Sequence, residues 1–170
     1  LIRAKGADLL LEAIAVLPRN CEALIVGNGP ERESLERLAG SLGIGDRVRF
    51  IHGVANSAMP AIYSSMNALV LPSRTTEHWK EQFGRVLIEA MACGIPVIGA
   101  SSGEIPHVIG EAGFVFKEGS VEGLRLGIER LMLNSSVAAE LRNAGIKRVN
   151  RLFTIESIAL QHHQLFTSLC

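Results

Sequence analysis

Two glutamates with seven residues between them, in Glu81-Gln82-Phe83-Gly84-Arg85-Val86-Leu87-Ile88-Glu89, are the side chains best placed to do chemistry together. On one continuous α-helix, eight steps of about 100° would leave them roughly 80° apart around the axis and about 12 Å along it. That is too far for a close carboxylate pair. The better arrangement puts Glu81 in a loop and starts a helix near Phe83 or Gly84. The helix N-terminus then offers the N–H groups of Phe83, Gly84 and Arg85 to an anion, with Glu89 two turns further in. A plainer reading stands beside it. Glu81 complements the helix dipole, and Glu89 pairs with Arg85 at i, i+4.

Gly27-Asn28-Gly29-Pro30 is the second candidate. Glycines between a strand and a helix let backbone approach a ligand, and the free N–H groups of the helix end favour an anion. The dinucleotide fingerprint needs a third glycine where Arg32 stands, which disfavours NAD. Taken alone, the glycines also fit a tight turn. Pro30 is expected in the first turn of the helix that follows.

The elements that must position these residues show in the apolar pattern. Ala23-Leu24-Ile25-Val26, residues 48–51, Ala68-Leu69-Val70-Leu71, Pro96-Val97-Ile98 and Gly113-Phe114-Val115-Phe116 read as strands of a parallel sheet covered on both faces. Amphipathic stretches at 8–17, 31–42, 58–66, 83–93, 121–133, 137–152 and 155–169 read as helices. Gly94, with Pro96 close behind, ends the fourth. Strand alternating with helix predicts a Rossmann-like, doubly wound α/β sheet in one domain. The first helix lacks a preceding strand, so the central first strand is expected ahead of Leu1.

Composition narrows the function classes. The chain has 170 residues, 48% hydrophobic, with 17 acidic and 17 basic side chains. That length suits one domain with a sizeable core, and the balanced charge argues against a nucleic-acid partner. No apolar run is long enough to span a membrane. Cys21, Cys93 and Cys170 are widely spaced, as expected of reduced, mostly buried thiols in a cytoplasmic protein. His162 and His163 have no partner at metal-ligand spacing.

Over almost its whole length the chain resembles the C-terminal domain of family-four retaining glycosyltransferases, which have the GT-B fold. The resemblance rests on Lys5-Gly6, on Ile25-Val26-Gly27-Asn28-Gly29-Pro30, on Val48-Arg49-Phe50-Ile51-His52-Gly53 and on Leu71-Pro72-Ser73. Its most specific part is the Glu81 and Glu89 element running on into Ala90-Met91-Ala92-Cys93-Gly94-Ile95-Pro96-Val97.

The resemblance implies roles. Lys5 is similar to the lysine that holds the donor diphosphate and neutralises the charge developing on the leaving group. Glu81 resembles the first glutamate of the motif, near the donor sugar. Phe83 and Gly84 resemble the residues whose backbone amides meet the sugar and its phosphate. Glu89 resembles the glutamate that accepts hydrogen bonds from ribose hydroxyls. Gly27, Gly29 and Val54 fall where the family packs backbone against the nucleotide. Lys5 and Glu81 are thus the catalytic pair, and the other six bind substrate.

The implied activity is that of a hexosyltransferase of polysaccharide biosynthesis. It moves a sugar from a nucleotide-sugar donor to an acceptor glycan, lipid-linked sugar or small molecule. The acceptor domain would lie N-terminal to this chain, which alone is expected to be inactive. The full-length protein would be cytoplasmic or peripheral to a membrane. No metal or other cofactor is expected, since Asp8 and Asp46 are the only aspartates and no Asp-x-Asp occurs. A sugar-nucleotide epimerase of GT-B type and a non-catalytic nucleotide-binding module are the alternatives.

Three features depart from the family pattern. Its arginine five residues before the lysine would be the residue just before Leu1; Arg3 is near but out of register and is not assigned that role. Glu104 and His107 replace the second glycine and the acid of the loop after Val97. The link 74–80, carrying His78 and the only tryptophan, Trp79, is longer than usual and is expected to be anchored to its own domain, the alternative being that Trp79 stacks on a sugar face. Finally, the last helix in the resembling family packs on the N-terminal domain. The apolar stripe of Ile155, Ile158 or Ala159, Leu165, Phe166 and Leu169 is therefore expected to lack its partner, and the chain to self-associate or to leave this helix frayed.

Overall fold

Each of five short apolar runs forms a strand followed by a helix in the computed structural model, which describes residues 1–168. The order is α1 (Ala7–Val16), β1 (Ala23–Val26), α2 (Arg32–Ser41), β2 (Val48–Ile51), α3 (Met59–Ser64), β3 (Leu69–Leu71), α4 (Arg85–Ala92), β4 (Val97–Ala100), α5 (Ile105–Ile109) and β5 (Gly113–Phe116). The helices α6 (Val121–Leu133), α7 (Ser135–Leu152) and α8 (Ile155–Ser168) complete the chain. Leu169 and Cys170, assigned above to the terminal stripe and to the thiols, lie outside the described residues.

All strand pairs are parallel, but the strands form two sheets instead of the single sheet expected. β1 pairs with β2, Ala23 opposite Val48. β4 lies between β3 and β5, with Val97 opposite both Leu69 and Gly113. Among the described residues no strand bridges β1 to the second sheet. Instead the first residues run between the loops that leave β1 and β3. The amine of Leu1 donates to the Asn28 carbonyl, Glu31 N–H reaches the Leu1 carbonyl at 3.3 Å, and Arg74 N–H reaches Ala4 at 2.7 Å.

β4 shows why the strands carry apolar residues on both faces. All four of its residues are buried. Ile98 and Ala100 join a core with Leu9, Leu11, Ile14, Ile25, Leu35 and Leu124. Val97, on the other face, joins a second core with Leu87, Met91, Ile105, Ile109 and Val149. Alternation of side chains along a strand thus places one core on each side of the sheet. On the second side, Gly99 leaves room for Ile105 and Ile109 to pack against β4. The short helix α5 that carries them was not foreseen, because five residues are too few to display a period.

Local signals set the ends of the helices. α1 starts from Gly6, whose φ of 68° is left-handed and whose missing Cβ admits the Pro72 carbonyl oxygen; only glycine suits both demands. α4 stops at Cys93, and Gly94 N–H closes on the Met91 carbonyl at 3.0 Å. Pro30 is not in the first helical turn. Arg32 N–H donates to Gly29 at 3.2 Å, closing a turn in which Pro30 is the second residue, and α2 begins only at Arg32. The buried guanidinium of Arg47 donates to the carbonyls of Leu17, Pro18 and Cys21, tying the exit of α1 to the start of β2. α8 contains no buried residue; Ile155 is 84% and Phe166 66% exposed. None of the described helices is long and apolar enough to cross a membrane.

Candidate functional site

Three segments, at the carboxyl ends of β3 and β4 and at the entry to α1, converge on Glu81. Its carboxylate oxygen Oε2 accepts from Lys5 Nζ at 2.7 Å and from Ser73 Oγ at 3.0 Å. The Glu81 side chain is 11% exposed against 42% for Lys5, so Lys5 is the partner that solvent reaches. Lys5 reaches this position because it closes a 3-10 turn, Arg3–Lys5, directly ahead of Gly6. Ser73 is fully buried after the end of β3. The Glu81 backbone is held as well, its carbonyl accepting from Glu104 N–H at 3.0 Å.

Past Glu81 the chain turns into α4. Its N-cap is Gly84 with φ 72°, and Arg85 is the first helical residue. The N–H groups of the first turn have no partner within the helix and point out of its end; Leu87 N–H is already turned onto the Gly84 carbonyl at 2.8 Å. Phe83 is 46% exposed. Its ring meets Phe153 edge-on, 6.0 Å between centroids, linking the start of α4 to the end of α7.

Glu89 belongs to a different cluster. Oε2 accepts from the Tyr63 hydroxyl at 2.7 Å, and Oε1 lies 3.0 Å from Arg85 Nε in the i, i+4 pair expected from the sequence. Burial, reinforced by this hydrogen bond to a carboxylate, pushes the Tyr63 phenol above its ordinary range. The glycine loop forms a third group. Gly27 N–H donates to Ile51 at 3.0 Å, and Asn28 Oδ1 pairs with His52 Nδ1 at 2.8 Å. Gly29 lies against Leu1, and Val54 is 37% exposed in the loop after β2.

The eight residues singled out in the sequence therefore fall into three groups. Lys5 and Glu81 touch. Phe83, Gly84 and Glu89 lie on and around the first turns of α4, and Gly27, Gly29 and Val54 line the exits of β1 and β2. Ser73 and Tyr63 were missed as partners. Ser73 stood inside the quoted Pro72-Ser73 motif, which was the available signal; Tyr63 pairs across 26 residues, and no local pattern announces that.

The long link is clamped to its own domain, as expected. Arg74 makes a bidentate pair with Asp8 at 2.7 and 2.8 Å, and this pairing raises the guanidinium pKa further. Thr75 binds Glu118 through its N–H and hydroxyl at 2.6 and 2.9 Å. Cys21 and Cys93 are free and half-buried, and burial pushes the Cys21 thiol up against the lowering influence of Arg47. Among the described residues no three His, Cys, Asp or Glu side chains cluster as metal ligands would.

The family model for glycosyl transferases group 1 matches residues 1–148. The GDP-mannose-dependent alpha-(1-6)-phosphatidylinositol monomannoside mannosyltransferase of Mycolicibacterium smegmatis is 32% identical over 152 residues, covering 85% of this chain and 40% of that protein. Sucrose-phosphate synthase from Thermosynechococcus elongatus superposes with a TM-score of 0.84 at 34% identity, over 99% of this chain and 43% of that one. The Anabaena protein HepE, solved in complex with UDP and glucose, gives 0.87 at 25% identity over 99% of this chain and 46% of its own. The chain spans less than half the length of these relatives.

Proposed function

The chain belongs to the group 1 glycosyltransferases, and from that premise we propose that it is the donor-binding domain of a retaining enzyme that moves a sugar from a nucleoside-diphosphate sugar to an acceptor hydroxyl. The observation that carries this reading is the contact between Lys5 and Glu81 at the carboxyl ends of parallel strands, where α/β sheets place their ligands. The ammonium of Lys5 is suited to a diphosphate, whose negative charge grows as the glycosidic bond breaks. Glu81, fixed from its side chain and its carbonyl, supplies a carboxylate beside the oxocarbenium-like centre of such a transfer. The amides of Phe83, Gly84 and Arg85 add donors for the sugar and phosphate. Glu89 takes the ribose hydroxyls, and Gly27, Gly29 and Val54 bring backbone to the base. The acceptor enters on the face the diphosphate leaves, and an N-terminal domain outside this chain positions it.

Calorimetric titration of the chain with UDP, GDP and ADP sugars tests the proposal. One of them is expected to bind in the millimolar range or slightly tighter. Glu89→Ala is expected to weaken that ligand by about 1–3 kcal/mol, the cost of stranding its hydroxyls. Failure of all three to bind overturns the reading, and an unchanged affinity in the variant removes Glu89 from the site.

A further inference from the structure

The link 74–80 does more than connect β3 to Glu81. It is held at three places. The Arg74 fork is on Asp8 of α1, Thr75 is on Glu118 and also 3.0 Å from Ser102 Oγ, and the turn itself is closed by Thr76 N–H on the Trp79 carbonyl at 2.7 Å. Glu118 is in turn held by its own N–H on Ser101 Oγ at 3.0 Å. A loop fixed at these points places its last aromatic residue in a defined position. Trp79 comes from a run otherwise made of Arg, Thr, Glu, His and Lys, and unlike its neighbours Thr75 to His78 and Lys80 it is half-buried.

Lys5 lies over it. The ammonium lies 4.8 Å from the centroid of the Trp79 ring, while the same Nζ is 2.7 Å from Glu81 Oε2. The negative face of an indole attracts a cation, so Lys5 has a carboxylate on one side and an aromatic face on another, while 42% of its side chain stays exposed. A flexible four-carbon stem would otherwise let the ammonium wander among many rotamers. Two oriented partners restrict it to the place where the loops converge. The apolar ring also displaces water next to the charge, which strengthens its attraction for an arriving anion.

We infer that Trp79 is a positioning residue for Lys5, forming with it and Glu81 a three-sided subsite that presents the ammonium to the diphosphate of the donor. This rests on the reading of Lys5 as the diphosphate group. An anion drawn onto Nζ changes the charge against the indole face, so the ring also senses occupancy of the subsite.

Trp79 is the single tryptophan of the chain, so its fluorescence reports this position alone. Titration with UDP, GDP and ADP is expected to change its emission saturably, at the affinity that calorimetry gives for the same nucleotide. Trp79→Ala is expected to weaken that diphosphate about 3- to 30-fold, the range set by exposed and desolvated cation–π contacts. Binding of the corresponding nucleoside, followed by ligand-observed NMR, is expected to stay unchanged. Trp79→Phe, which keeps a ring face, should remain within about 3-fold of the parent. Saturable diphosphate binding with constant emission and an unaltered affinity in Trp79→Ala overturns the inference while leaving the donor reading intact. Equal weakening of nucleoside and diphosphate also overturns it, since that marks a general structural role. Absence of any diphosphate binding to the parent chain overturns the donor reading itself, and this inference with it.

Discussion

The hydroxyl of Tyr63 on α3 donates to Oε2 of Glu89 on α4 at 2.7 Å, and Tyr63 is buried, with 2% of its surface exposed. A side chain proposed to hold a ribose is thus itself held, from below by a phenol and from the outside by Arg85. Tyr63 is also the only tyrosine, which makes this contact unusually accessible to measurement.

The first prediction follows from the sign of the Tyr63 shift. Its phenol pKa is raised in the folded protein, by burial first and by Glu89 second. The protonated form is therefore favoured by folding. The associated stability is complete below the unfolded phenol pKa of about 10 and is lost as pH climbs above it. Phenolate absorbance is expected to appear late and together with unfolding, and Tyr63→Phe should flatten the alkaline decline measured by urea denaturation. A phenol that titrates near pH 10 in the folded chain would contradict this.

At neutral pH, Tyr63→Phe should cost about 1.5–3 kcal/mol in the same denaturation experiment, the scale of one hydrogen bond to a charged acceptor. Because Glu89 loses an orienting donor, nucleotide affinity should fall as well, but by less than in Glu89→Ala.

Turnover gives the third. The isolated chain should transfer no sugar, since productive geometry needs the acceptor held as well as the donor. In the full-length protein Glu81→Ala is expected to lower kcat at least about 100-fold, the scale of losing one electrostatic stabiliser. Near-normal kcat would reduce Glu81 to a support for Lys5.

The fourth concerns metal. A hard cation wants clustered oxygen ligands, and Lys5 with the α4 amides is proposed to take its place on the diphosphate. Activity of the full-length protein should survive EDTA. Loss of activity restored by Mn²⁺ would refute the metal-free mechanism.

The fifth concerns α8, whose Ile155, Leu160, Leu165 and Phe166 are all more than half exposed. Such a surface tends to find a partner. Light scattering over a concentration series should show self-association, or hydrogen exchange should show α8 opening far faster than β4. A strict monomer with α8 as protected as the core would refute both.

Much of this architecture was legible because its signals are local. The strand at 23–26 and the helix at 121–133 fall on the expected residues. Gly84 and Gly94 mark the ends of α4, and a loop position for Glu81 followed from the spacing alone. What escaped depends on distance in sequence. The division into two sheets is decided by which backbones pair, and periodicity is silent on that. The contacts of Tyr63 with Glu89 and Lys5 with Trp79 join residues from separate elements, and that of Ser73 with Glu81 is set by how one irregular loop folds back on itself. Pro30 was misplaced because a proline suits the second position of a turn as well as a first helical turn.

β4 belongs to both cores at once, through Val97 on one side and Ile98 with Ala100 on the other. Loss of packing on either face loosens the strand that the opposite face leans on. The two halves therefore cannot melt one after the other, and heat or urea should take them apart in a single cooperative step. The amides of Val97, Ile98, Gly99 and Ala100 would be the last in the chain to trade their hydrogens with solvent, opening only when everything opens.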